Sequence, residues 1–442
     1  MIKKLFRSKF AKNIAIIAGG TAFVQVLGFL FSPIITRIYS PDHYGIYTVF
    51  YTTLTILVSI GSLHYERAIP IAENEKKAIN VLALSFTVLF FVVVITTIGL
   101  FLWGNKILSL LNSEELIDYR FLIPLGIAFA GAYRIILQWA YRTKNFRGIT
   151  RTRASQSILK NLSKVTLGFL NFGPIGLILG HIIGESAGIT SLSLPIIKYN
   201  EDLLNKINWK EIKQMSKRYI KFPLFSASSN YVYTFGNKVP VIFLTAMFGS
   251  STVGLFGLAN SVVHLPLSLI GSSIGQVFYA EAADIGKSNP NRLKVLSSRL
   301  IKNLALIGLL PLIALLILGP WLFSIVFGSE WYEAGVYARL IAVMVYFHLL
   351  ITPFGRIMEI FERQSINLYI NIFRVISILS LFLLAQYLNL SSHITVLLYA
   401  IIVSINYILL LIIAYLVMNQ EIRKNKGDVN YERDYISRGN GK

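Results

Sequence analysis

The chain has no cysteine and only six histidines in 442 residues. Disulfides and thiolate metal sites are therefore excluded, and no HExxH-type spacing supports metal catalysis. Acidic side chains are scarce as well, 21 Asp and Glu against 42 Lys and Arg, and charged residues make up only 14% of the chain. No Walker-type GxxxxGK stretch occurs, so ATP has no binding loop here, and hydrolase, kinase and dinucleotide signatures are missing too. Apolar residues are plentiful instead, at 55%, a proportion foreign to soluble domains. The net charge of +21 does not point to nucleic acid. A nucleic-acid binder clusters its basic residues on soluble elements, whereas these sit in short loops between apolar blocks.

Those blocks run for about 20 residues, the length that crosses ~30 Å of hydrocarbon at ~1.5 Å per residue. Twelve spans are predicted, at 14–35, 44–64, 79–103, 121–141, 154–172, 175–197, 222–247, 253–278, 300–327, 335–357, 367–388 and 393–418. The first is too long for a signal-peptide core and no small-residue cleavage site follows it, so it reads as a retained helix. With the N-terminus placed in the cytoplasm, the outer loops hold only Arg37, Lys106 and Arg120 among basic residues. The inner segments hold nearly all the others, which sets the orientation. An even number of spans then puts both termini in the cytoplasm.

The longest inner loop divides the chain into a six-helix lobe over 1–200, a cytoplasmic linker over 201–221, a second six-helix lobe over 222–420 and a tail over 421–442. The halves echo each other. YSPDHYGIY at 39–47 matches FGSSTVGLF at 248–256, with Gly45 over Gly254, and NSEELIDYRFLIPL from Asn112 matches GSEWYEAGVYARLI from Gly328. Short turns rich in Gly, Ser and Glu also look alike by chance. Read as true repeats of six spans, the halves share one orientation, and transporters built from repeats bind substrate where the repeats meet, near mid-membrane.

Six basic residues fall inside spans: Arg134, Lys160, Lys164, Lys238, Arg339 and Arg374. An ammonium in the bilayer costs roughly 2.5–3.5 kcal/mol on insertion scales, so each needs a cavity, an anion or a route to the surface. Lys238 lies in a largely uncharged span beside Asn230, Asn237, Gly236 and Pro240. Lys160 and Lys164 are one turn apart, and Lys164 is about 16 Å deep, counted from Arg153. Like charges at that spacing repel, which favours a facing anion; for Lys160, snorkelling to the cytoplasmic surface is equally open. Arg134, sharing a face with Gln138, and Arg374 lie closer to the cytoplasmic side, where snorkelling is open too. Glu185 stands mid-span with His181 one turn before it. The pair reads either as a proton-exchanging couple or as a structural ion pair from Glu185 to Lys160 or Lys164. Gly176, Gly180, Gly184 and Gly188 form a small-residue stripe on the same helix, read as packing. His264 with Asn260 reads as an interhelical polar contact, and Glu66 with Arg67 as a local ion pair at the cytoplasmic surface.

The stretch KFPLF…VPVIFLTAMFG…VGLFGLA…LPLSLIGSSIGQVFYAEAA over 221–283, HYERAIPIA at 64–72 and FGSEWYEAGVYARL at 327–340 resemble polysaccharide-repeat flippases of the Wzx type. That family belongs to the superfamily that also holds the MATE multidrug exporters and the lipid II flippase. The resemblance implies an all-α MATE-like fold of two six-helix lobes around a cleft. It implies passage of an undecaprenyl-pyrophosphate-linked oligosaccharide across a bacterial inner membrane, upstream of polymerase or ligase machinery, and no enzymatic activity. A cationic cleft is also implied, for which Arg134, Lys160, Lys164, Lys238 and Arg374 are the candidates by depth and charge. His181 and Glu185 are the candidates for coupling to H+ or Na+, and no cofactor or metal is expected. The alternative is a cation-coupled multidrug exporter, which calls for acidic rather than basic cleft residues. A membrane glycosyltransferase or polymerase calls for larger outer loops.

Overall fold

The computed structural model describes residues 9–110, 112, 114–199, 201–285, 290–354, 357–361 and 363–439, and among these every regular element is helical. The long helices are α1 (Lys9–Ile38), α2 (Pro41–Val58), α3 (Glu75–Leu110), α4 (Leu122–Arg142), α5 (Phe146–Phe169) and α6 (Pro174–Tyr199). A short helix α7 (Trp209–Arg218) precedes α8 (Ser228–Ile285), α9 (Pro290–Phe327), α10 (Tyr332–Ile351), α11 (Gln364–Tyr387) and α12 (Ser392–Gly439). Among the described residues, nine helical segments are long and apolar enough to cross a membrane. Their outward faces are apolar: Phe90, Ile95, Phe101 and Leu102 on α3 and Leu306, Leu310 and Ile317 on α9 are all more than half exposed. Such surfaces suit lipid, not water. The chain is a multi-pass membrane protein.

Two expected spans fall outside those nine for a physical reason. In α2, only 18 residues long, Gly45, Thr48, Thr52 and six apolar side chains are among the positions turned inward. In α5, Lys164, Asn161, Ser157 and Thr152 are buried while Leu159, Leu162 and Phe169 face outward. A hydropathy average discounts such helices because their polar side chains face protein. The expected turn at 248–253 is present as a break in α8 at Gly249, whose φ of 80° is open to glycine at little cost.

Local signals set the helix starts. Ser40 accepts from the His43 amide (3.3 Å) ahead of Pro41 at the first helical position of α2, and Asn145 accepts from the Gly148 amide (3.0 Å) at the start of α5. Both satisfy amides that a helix start leaves unpaired.

The chain divides into two compact units. The first runs to Leu258 and takes in Phe323–Ala334, and the second comprises Ala259–Leu322 and the chain from Gly335 onward. In the first, Phe50, Ile79, Ile123, Ile127, Ile135, Ile149, Leu177 and Ile178 are almost fully buried. The indole Nε1–H of Trp331, fully buried in this unit, donates to the Thr36 carbonyl at 2.9 Å. In the second, Phe278, Phe354, Met358, Phe361 and Met418 form the core. Polar aromatic contacts accompany it: His348 stacks on Tyr407 (4.8 Å between centroids) and meets His264 edge-on (5.6 Å). Arg339 donates to the Ile317 carbonyl at 3.2 Å.

Helix α7 is amphipathic. Ile212, Met215 and Tyr219 are buried while Lys210, Lys213, Lys217 and Arg218 stay exposed. It is latched to the start of α3 by Lys76–Glu211 (2.8 Å), by Arg218–Glu73, and by Asn80, whose side chain donates to Lys206 O (3.1 Å) and accepts from the Asn208 amide (2.9 Å). Hydrogen bonds from Lys77 and Arg218 hold the Glu73 carboxyl below its ordinary value, and one from Lys76 does the same for Glu211. A depressed carboxylate stabilises above its unfolded value and loses that contribution as pH falls through the folded one. These pairs are exposed and screened by salt, whereas fully buried Asn80 is not. Mild acidification below pH ~4 is therefore expected to loosen α7 only modestly. Asn80→Leu, which orphans Lys206 O and the Asn208 amide, is expected to expose the 199–221 segment to protease at neutral pH. Limited proteolysis checks both.

Candidate functional site

Four helices of the first unit, α2, α5, α6 and the first half of α8, bring basic and aromatic groups together. Lys164 is almost fully buried, with its ammonium 3.8 Å from the centroid of the Tyr47 ring. Lys238 lies over the neighbouring Tyr51 ring at 4.9 Å. Tyr47 and Tyr51 sit one turn apart on α2 and stack at 6.1 Å, so the two cations rest on adjacent aromatic faces. A desolvated cation–π contact contributes about 2 kcal/mol or more, set against the ~2.5–3.5 kcal/mol cost of the ammonium. Tyrosine rings thus offset much of the cost without supplying a counter-charge. Among the described residues neither Lys164 nor Lys238 forms an ion pair with a carboxylate.

His181 joins the cluster from α6. Its Nδ1 and the Tyr47 hydroxyl share a 3.3 Å hydrogen bond, its ring meets Tyr51 edge-on at 5.2 Å, and its Nε2 lies 3.9 Å from Glu185 Oε1. The Tyr39 hydroxyl donates to the Lys164 carbonyl at 2.7 Å and fixes that turn of α5. The ion pair weighed for Glu185 with Lys160 or Lys164 is not formed among the described residues. Glu185 and Lys160 instead line a cavity of about 320 Å³ with Arg153, Gln156 and Asn161, beside α1.

The glycine stripe of α6 makes this approach possible. A Cβ at Gly180 would lie 2.8 Å from the backbone nitrogen of Lys164, and one at Gly184 would lie 2.5 Å from Lys160 Cβ. Both distances are shorter than real Cβ contacts, so α5 and α6 meet backbone to backbone. Gly180→Leu is expected to force the helices apart at a cost of ~1–3 kcal/mol, read as a lower melting temperature of the purified protein.

A polar track leads away from the lysines. Tyr51, Thr55 and Ser59 follow one face of α2, and Lys238, Thr234 and Asn230 follow one face of α8. Thr55, Ser59, Asn230 and Thr234 line a second cavity, together with Arg134 and Gln138 of α4. Arg134 also donates to the Val58 carbonyl at 3.2 Å. Of the predicted site residues, Lys164, Lys238 and His181 therefore converge, Lys160 and Glu185 share a neighbouring cavity, and Arg134 lines another. Arg374 is buried in the second unit. The sequence reading overlooked Tyr47 and Tyr51, although two tyrosines one turn apart in a span were a legible signal.

The chain is a multi-pass helical membrane protein whose fold is shared with solved structures of the MOP superfamily. It is similar to the inward-facing conformation of a multidrug resistance MATE family transporter of that superfamily, with a TM-score of 0.71 at 14% identity over 93% of this chain and 99% of the other. The lipid II flippase MurJ in its inward closed conformation matches equally, with a TM-score of 0.71 at 14% identity over 95% and 92%. Residues 34–336 match the family model described as polysaccharide biosynthesis protein, and the chain belongs to that family. Among curated relatives, the succinoglycan biosynthesis transport protein ExoT of Rhizobium meliloti (strain 1021) is 22% identical over 72% of this chain. The teichuronic acid biosynthesis protein TuaB of Bacillus subtilis (strain 168) is 24% identical over 35% of it. The chain spans 62% of the length of ExoT and 32% of that of TuaB.

Proposed function

We propose that this protein is a flippase that carries an undecaprenyl-pyrophosphate-linked oligosaccharide from the cytoplasmic to the outer leaflet of a bacterial inner membrane. The observation that carries the reading is the pair Lys164 and Lys238, held on tyrosine faces with no carboxylate partner among the described residues. Two ammonium groups resting on aromatic faces without a carboxylate partner among the described residues form a site for an anion such as pyrophosphate. Membership of a polysaccharide biosynthesis family supports the glycan, and the name of ExoT, a transport protein, supports translocation. A drug-cation exporter would put acids where this chain puts lysines.

On this reading twelve spans form two lobes, 1–200 and 222–420, both termini are cytoplasmic, and the lobes rock about the substrate in alternating access. Arg134, Lys160 and Arg374 add positive potential, while the polyprenyl tail stays in lipid. Coupling to H+ or Na+ would run through His181 and Glu185, an acid–imidazole couple beside the lysines. The product would pass to polymerase or ligase machinery. The test is the lipid-linked intermediate pool of a strain lacking this gene. Accumulation of oligosaccharide-pyrophosphoryl-lipid on the cytoplasmic leaflet, with loss of surface polymer, is expected. A normal pool with altered drug tolerance would overturn the reading.

A further inference from the structure

The cavity lined by Arg134 has a composition that pyrophosphate alone does not explain. It measures about 310 Å³ and lies within the first unit at the end of α2. That is the small end of the ~300–1,000 Å³ range of ligand pockets, whose walls are mostly apolar. Here Leu137 is the single apolar lining residue. The Thr234 hydroxyl and the amides of Gln138 and Asn230 supply groups that both donate and accept. The hydroxyls of Thr55 and Ser59, which donate to the Tyr51 and Ile56 carbonyls at 2.7 and 2.6 Å, add acceptors. Drugs and acyl chains match such a wall poorly, whereas ring hydroxyls match it well.

Three further groups set the charge. Glu66 is buried, and its Oε2 accepts from the Ser62 hydroxyl at 2.6 Å. Arg67 and Arg134 stand with it in the same wall, so two guanidinium groups face one carboxylate. No ion pair joins Glu66 to Arg67 among the described residues, contrary to the expectation for that dipeptide. His64, only 4% exposed, also lines the cavity, and its Nδ1 is buried without a hydrogen-bond partner. Leu63 and His64 both have positive φ, 49° and 60°. Two successive non-glycine residues there are strained, and this turn carries the imidazole that lines the wall.

We propose that this cavity is a saccharide subsite that takes one sugar ring carrying an acidic substituent. The hydroxyls and amides pair with ring hydroxyls, Glu66 accepts from two of them, and His64 Nδ1 gains the partner it lacks. Arg67 and Arg134 receive the acidic group. A bare phosphate would meet the Glu66 carboxylate, and a neutral ring would leave the guanidinium surplus unanswered. The proposal deepens the flippase reading and rests on it. The polar track of α2 and α8 joins this subsite to Lys238, so the glycan and the pyrophosphate of one lipid-linked molecule would occupy the two ends.

The test is saturation-transfer NMR on the full chain in nanodiscs, with glucuronic acid and glucose as probes. Both sugars are expected to receive saturation, glucuronic acid more strongly. Thr234→Val and Gln138→Leu are each expected to lower both signals about fivefold, the loss of one buried hydrogen bond. Arg67→Gln is expected to remove the preference for the acidic sugar while sparing glucose. An unchanged melting temperature qualifies each variant, and the two pocket variants guard against the loss of either one. No transfer to either sugar, or transfer unaltered in all three variants, overturns the subsite. If the sugars bind as expected but the deletion strain shows a normal lipid-linked pool, the subsite stands and the flippase reading fails.

Discussion

Lys164→Met and Lys238→Met are each expected to lower surface polysaccharide at least about tenfold, with membrane protein level undiminished. A hydrogen bond to a charged group is worth about 1.5–3 kcal/mol, which corresponds to roughly 10–150-fold in binding of the anion. The same substitution has an opposite effect on stability. Methionine keeps the length of the lysine stem, removes an insertion cost of ~2.5–3.5 kcal/mol and forfeits a cation–π contact worth about 2 kcal/mol. Lys164, the more deeply buried of the two, is thus expected to give a variant that melts slightly higher and exports far less. A lysine retained only for packing would behave differently, its loss lowering stability and leaving export alone. Surface polymer by immunoblot, with the melting temperature of the purified variant, separates the two outcomes.

Gly254→Val is expected to be among the most damaging single changes in the first unit. A Cβ at Gly254 would lie 1.8 Å from the Pro41 carbonyl oxygen and 2.8 Å from the Gly45 nitrogen, and one at Gly45 would lie 1.8 Å from the Ser250 oxygen. Every atom in these clashes is backbone, so no rotamer change relieves them, and the cost exceeds the ~1–3 kcal/mol typical of overpacking. The contact is held from the side by the Ser250 hydroxyl, which donates to Asp42 Oδ1 at 2.7 Å. Gly45→Val is expected to match it, and the double variant is expected to be less than additive because both changes act on one crossing. Accumulation in membranes and gel-filtration profile in detergent are the measurements. Full accumulation of Gly254→Val would show that the two helices tolerate separation.

The two glycines that align with each other in sequence also pack against one another in the structure, α2 against α8.

Several features of this protein were set by sequence alone because they depend on local physics. Apolar length marked the nine segments able to cross a membrane among the described residues, lysine in apolar runs marked Lys164 and Lys238, and glycine at i,i+4 spacing marked the α5-facing stripe of α6. Each follows from what a residue costs in hydrocarbon or how near it lets a backbone come, and neither needs knowledge of its neighbours. What surrounds those residues was decided by tertiary structure. Glu185 was read as the natural partner of Lys160 or Lys164, yet packing gave Lys164 the Tyr47 ring and left Glu185 within 3.9 Å of His181. Likewise Glu66 accepts from Ser62, across the left-handed turn at Leu63 and His64, and forms no ion pair with Arg67 among the described residues. Charge and apolarity belong to the residue and can be read in order along the chain. A partner depends on which helices come within a few ångströms, and only the packed fold supplies that.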